Sequence, residues 1–255
     1  MTQSESSPVR QWRTSRWRTD KVHVRRQPTR GRYDRATIDA VLDSSRVAHV
    51  AFVDDGQPYC MPLLYARVGD VVYVHGSSAS RAMQALATGQ PACLTVTRLD
   101  GLVLARSAFQ HSANYASAIL LGGFRALAEP AEKLLAFRML MERLVPGRWS
   151  EVRPPSPREL RASAILAMAI DEASVKVRSG PPTDDRSRDS ALDVWAGVVA
   201  LVTSFGQPQP SPGLRDGVQP SASLLRLVGT RESCLQAAPG PDRNACLLTA
   251  AGVAR

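Results

Sequence analysis

Seven consecutive residues, His75, Gly76, Ser77, Ser78, Ala79, Ser80 and Arg81, concentrate much of the polar chemistry of this chain. They stand where a short apolar run (VVYV, 71–74) ends and a helical pattern begins. A strand-to-helix junction leaves the first amides of the helix without intrahelical partners, and such amides favour an anion. Ser77, Ser78 and Ser80 add hydroxyl donors, and Arg81 adds a fixed positive charge. The combination suits a phosphate, although the same residues also describe a serine cap beside a surface arginine. Two histidines, His75 and His111, complete the candidate chemistry. Either can donate a proton or orient a substrate anion, and a lone strand histidine is equally a hydrogen-bonded structural residue.

Other chemistries lack their residues. No GxSxG, HExxH or P-loop pattern occurs, so a hydrolase is not the first reading. The four cysteines, Cys60, Cys93, Cys234 and Cys246, are scattered without a CxxC pair or histidines at ligand spacing. They read as buried apolar residues or free thiols, with neither a metal site nor a disulfide framework.

The elements that must hold HGSSASR in place are mostly strands. A short helix is expected from Asp34 to about Ser44, with Ile38, Val41 and Leu42 on one face. Residues 46–53 and 58–68 read as two strands around a tight turn at Asp54–Gln57, and Gly69–Asp70 turns the chain into a third. A helix follows over 78–89, with Ser78 as its cap and Gly89 as its stop. Then come strands at 92–98 and 102–106 around a turn at Asp100–Gly101, and a long β segment over 114–128 bent at Gly122–Gly123. Residues 129–145 switch to helical spacing, and a second helix starts at Pro157. One strand is expected over 165–178 and another over 195–202. Many short strands with few helices predict a mainly β fold, a closed or partly closed barrel.

The chain is 255 residues long and carries a net charge of +9. Residues 1–35 hold ten basic residues against three acidic ones, which leaves only +2 for the rest. Such a block reads as a solvated arm over 1–32, able to touch RNA, DNA or acidic lipid only through nonspecific electrostatics, with Trp12 and Trp17 assisting. The main domain is expected over 33–205, and the Pro-, Ser- and Gly-rich stretch 206–255 reads as a disordered tail. No stretch approaches the roughly 18 apolar residues of a membrane span, so a cytoplasmic location is expected.

Several separated motifs occur in one order: YCMPLLYA at 59–66, VYVHGSSASR at 72–81, LDGLVLARSAF at 99–109, NYAS at 114–117, VPGRW at 145–149, SVKVRSGPPTDD at 174–185 and VWAGV at 194–198. Over roughly residues 24–205 the ordered set resembles the pyridoxamine 5'-phosphate oxidase-like, FMN-binding split β-barrels, and among them the nitroimidazole-resistance branch. The resemblance implies FMN held in a homodimer. Ser77, Ser80 and Arg81 would hold its phosphate beside His75 and Gly76. The backbone of Cys60, Met61, Pro62 and Leu63 would run along the isoalloxazine ring, and Trp195 would approach the same cofactor. Where the family carries an arginine after the tyrosine and a further histidine, this chain has Ala116 and Gln110, which points to a lost substrate contact.

The function this implies is an FMN-dependent oxidoreductase taking electrons from reduced nicotinamide and passing them to a small acceptor such as a nitroaromatic. In such proteins the cofactor carries the redox chemistry, so the missing catalytic triads are no objection. The alternative is a non-catalytic protein that binds a flavin, a deazaflavin or haem.

Overall fold

A computed structural model describes residues 18–184 and 188–232 of the chain. Trp12, Trp17, Arg10, Arg13, Arg16, Cys234 and Cys246 lie outside the described residues. In chain order the elements are β1 (Gly31–Arg32), α1 (Arg35–Leu42), β2 (Val47–Asp54), β3 (Gln57–Val68), β4 (Val71–Ser77), α2 (Arg81–Ala87) and β5 (Ala92–Leu104), followed by β6 (Ser112–Gly122), β7 (Arg125–Ala126), α3 (Pro130–Leu144), α4 (Pro157–Ala162), β8 (Ser163–Ala169), β9 (Glu172–Arg178), β10 (Gly197–Ala200) and α5 (Ala222–Leu225). Where register is resolved, the strands pair antiparallel. They fall into two compact units, one formed by 43–92, 122–169 and 202–232, the other by 18–42, 93–121, 170–184 and 188–201.

The first unit carries HGSSASR. Its strand order is β2-β3-β4-β8-β7. Asp55 and Gly56, both at positive φ (49° and 75°), make a two-residue hairpin turn that sets β2 against β3 from Asp54↔Gln57 to Val47↔Leu64. Period-two alternation then gives β4 two buried faces. Val71 lies with Ile165, Ala167, Leu127 and Ala136 in a core on which Tyr73 and Phe137 of α3 pack, while Val72 and Val74 are fully buried. Helix α2 buries Ala82, Met83, Ala85 and Leu86. It approaches β4 so closely that a Cβ on Gly76 would stand 2.9 Å from Met83 Cγ.

Helices α3 and α4 are set by local signals. Pro130 occupies the first turn of α3, and Pro157 does the same in α4. The α4 terminus is a capping box: the Glu159 amide donates to the Ser156 hydroxyl, and the Ser156 amide donates to the Glu159 carboxylate at 2.7 Å. Lys133 ties the two helices by donating to the carbonyls of Leu160 and Ser163 at 3.3 and 3.1 Å. The PGRW turn is closed by Glu142, whose carboxylate accepts from the amides of Gly147 and Trp149.

The second unit has the order β1-β9-β6-β5, with β10 pairing β5. Asp34 caps α1 by accepting from the Thr37 amide at 2.8 Å, and Ile38, Val41 and Leu42 are buried as their spacing predicts.

Several expectations change. The segment 92–106 is one strand to Leu104, with Asp100 and Gly101 inside it. The Asp100 carboxylate is bound by Arg98 at 2.6 Å, and Gly101 is bare because a Cβ there would meet the Val199 carbonyl of β10 at 2.8 Å. The segment expected as one strand over 165–178 is two, β8 and β9, broken at Ile170–Asp171 and shared between the units. Helix α2 starts at Arg81 with Ser80, not Ser78, at the cap position. Packed residues also occur within the stretches expected as arm and tail. Val22 is buried, and Lys21 pairs with Glu172 at 3.5 Å. Residues 203–232 pack through α5 and through Phe205, over whose ring the Arg46 guanidinium lies at 4.9 Å.

Candidate functional site

The turn between β4 and α2 gives its three serines different duties. Ser78 is structural, its amide and hydroxyl both donating to the Ala162 carbonyl at 3.0 Å. Ser77 shapes the turn by accepting from the Ala79 amide at 3.2 Å and, through its carbonyl, from the Ser80 amide at 2.9 Å. Ser80 sits at the cap position in extended backbone, yet its hydroxyl makes no capping bond. That hydroxyl remains available to an anion.

Arg81 follows at the first position of α2 and is exposed. Its Nη1 donates to the Tyr59 hydroxyl at 2.9 Å, and its guanidinium lies 4.6 Å from the centre of the Tyr59 ring. Tyr59 in turn stacks on Phe52, ring centres 5.6 Å apart and planes at 21°. The cation is therefore held over an aromatic ledge with most of its donors still unspent. A fixed guanidinium beside the Ser77 and Ser80 hydroxyls has the donor chemistry to hold an anion such as a phosphate. The motif YCMPLLYA contained Tyr59, but nothing in its spacing pointed across to Arg81.

The same strand continues from Tyr59 into Cys60, Met61, Pro62 and Leu63, paired with Ala51, Val50, His49 and Ala48 of β2. Cys60, Met61 and Pro62 are exposed and Leu63 is half-buried, and Cys60 is a free thiol. An exposed stretch of apolar backbone beside a phosphate cradle has the chemistry to receive a planar ring. Gly76 serves the α2 contact already described. His75 faces α3, its ring meeting Phe137 edge-on at 5.8 Å. Its Nδ1 is buried without a hydrogen-bond partner, and burial pushes the imidazole below its ordinary pKa. That is a packed position with no hydrogen-bonded group to pass a proton.

His111 and Trp195 belong to the second unit. His111 is exposed after the single turn Ala108–Gln110, and its Nδ1 donates to the Ser107 carbonyl at 2.9 Å. The turn is anchored by Asp184, a fully buried carboxylate that accepts from the Arg106 amide at 2.6 Å and from its Nη1 at 3.2 Å. Arg178, also buried, donates to Asn114 Oδ1 and to the carbonyls of Gly180 and Pro181. Burial and the nearby Arg30 lower its pKa. Most of SVKVRSGPPTDD thus acts as scaffold. Trp195 is 65 % exposed, and its ring crowds the place a Gly197 side chain would take.

With this geometry in view, comparison with known proteins defines the class. Residues 34–177 match the pyridoxamine 5'-phosphate oxidase family. The chain belongs to that family and has its split β-barrel fold. Among solved structures it is similar to the flavocytochrome Anf3 of Azotobacter vinelandii, at 40 % identity over 83 % of this chain and 98 % of that one, with a TM-score of 0.77. It is equally similar to the FAD and haem binding protein of Mycobacterium smegmatis, at 40 % identity over 80 % and 98 %, with a TM-score of 0.76. No curated protein matches it. Among the described residues no helix is long and apolar enough to cross a membrane.

Proposed function

We propose that this chain is a redox protein that binds a flavin nucleotide and a haem. The carrying observation is the 40 % identity, over at least four fifths of this chain, to a flavocytochrome and to an FAD and haem binding protein. The residues fit the flavin: Arg81, Ser77 and Ser80 would hold its phosphate, and the exposed stretch Cys60–Leu63 would lie along its ring. When bound, the flavin exchanges one or two electrons and the haem one, so the pair joins a hydride donor to a one-electron acceptor. We assign FAD over the FMN implied by the motifs, because the M. smegmatis relative is described as an FAD protein. Reduced nicotinamide as donor and a small acceptor, a nitroaromatic among them, complete the reading. Exposed Val47, Val53, Met61 and Leu64 on the β2–β3 hairpin support a homodimer.

The absorption spectrum of the purified protein tests this reading. Flavin absorption bands together with a Soret band are expected, and chromatography of the released cofactor should give FAD. Failure to take up FAD or FMN on reconstitution would overturn the proposal. Flavin reduced by dithionite but not by nicotinamide would leave a non-catalytic carrier.

A further inference from the structure

We infer that His111 is the axial ligand through which this chain holds its haem, a step that rests on the haem reading above. Haem iron takes an axial imidazole, thiolate, thioether or phenolate. All four histidines of the chain, His23, His49, His75 and His111, fall among the described residues. A ligating imidazole usually donates its other ring N–H to a carbonyl or carboxylate, which fixes the tautomer and aims the free nitrogen. His111 does this. Its Nδ1 meets the Ser107 carbonyl at 2.9 Å. A carbonyl can only accept, so the proton is on Nδ1 and the lone pair is on Nε2. His75 has the opposite arrangement, with Nδ1 buried, partnerless and facing apolar side chains.

The surroundings suit a flat apolar group. Phe109, two residues before His111, is 92 % exposed. The β5–β10 register runs from Gly101↔Ala200 to Leu104↔Gly197. Carried two residues further it puts Trp195 at the same end of the sheet as Arg106 and Ser107, where the His111 turn begins. Val194 and Trp195 are exposed there too. An imidazole with a fixed tautomer and three large apolar side chains, all solvent-facing, thus gather at one end of β5. Asp184 holds the backbone that carries the imidazole, which gives the ligand a rigid mount.

The experiment is haem titration of the full chain, read by the Soret band, by haem content and by the spin-state signal in electron paramagnetic resonance. His111→Ala is expected to weaken haem binding at least about tenfold, the lower end of the loss typical when a metal ligand's supporting partner is removed. Added imidazole should restore haem binding in the variant, while His49→Ala and His75→Ala should keep the wild-type spectrum. Circular dichroism and flavin uptake report folding independently, since His111 is exposed and outside the flavin cradle. If wild type takes up haem and His111→Ala matches it in affinity and spectrum, the assignment to His111 is wrong and the haem reading stands. If wild type takes up none, the haem reading fails and this inference with it.

Discussion

Arg81 illustrates how a residue type becomes a site only through its neighbours. Its charge and its place beside three serines were legible in the sequence, but the grip of Tyr59 and the diversion of Ser78 to the Ala162 carbonyl were not. Both partners lie far off along the chain, and no local pattern encodes them. On the proposed function, Arg81→Ala should weaken binding of a phosphorylated flavin by roughly ten- to a hundredfold, the worth of a charge-assisted bond of about 1.5 to 3 kcal/mol. Riboflavin, lacking phosphate, should bind both proteins alike, as fluorescence quenching can measure. Equal loss for both ligands would show the arginine to be structural instead. His75 carries the complementary lesson: strand position and residue type made it a candidate for proton transfer, whereas its packing against Phe137 needed three-dimensional information.

At the scale of elements, the signals that worked are local. The Asp55–Gly56 turn, the Asp34 cap and the two helices opened by Pro130 and Pro157 all follow from residues within one turn of each other. The failures came where tertiary pairing decides. Asp100–Gly101 carries a turn signal, but β10 lies against it and the strand runs straight through. Likewise β8 and β9 follow one another without a Gly or Pro between them, and only the charged pair Asp171–Glu172 marks the break in an otherwise strand-like pattern. Gly123 shows how tightly such joints are built. A Cβ there would stand 2.4 Å from the Gly89 carbonyl oxygen, nearer than a methyl carbon can sit to it. Because both partners are backbone, Gly123→Ala must move one segment or the other, at a cost of about 1 to 3 kcal/mol. In a chain of this size that lowers the melting temperature by roughly 2 to 4 °C per kcal/mol. An unchanged melting curve would mean that the Gly122–Phe124 bend relaxes freely.

At the scale of the whole molecule, residues 203–232 are a strap closed on itself and clamped to its own unit. Its ends pair where the Phe205 amide donates to the Thr230 carbonyl at 3.1 Å and the Glu232 amide donates to the Thr203 carbonyl at 3.0 Å. Two clamps hold it. Arg46 lies over Phe205 and pairs with Glu232 at 3.7 Å, and Glu151 accepts from the hydroxyls of Ser221 and Ser223 at 2.6 and 2.5 Å. The Ser221 and Ser223 bonds, with help from Arg148, hold the Glu151 carboxyl down at about 2. A carboxyl lowered in the folded state binds its proton more readily once unfolded, so its contribution is complete above the ordinary value near 4.5 and is lost as the pH falls towards 2. The Glu151 clamp should therefore hold at neutral pH and open in acid. Glu151→Ala should mimic that opening at neutral pH. The exposed Arg215 in the strap offers the readout, since trypsin needs local opening to cut there. Cleavage after Arg215 should be several-fold faster in Glu151→Ala than in wild type, while Glu132→Ala, which removes only an exposed pair with Arg125, should cut at the wild-type rate. Equal rates for all three proteins would show that the Glu151 bonds do not secure the strap.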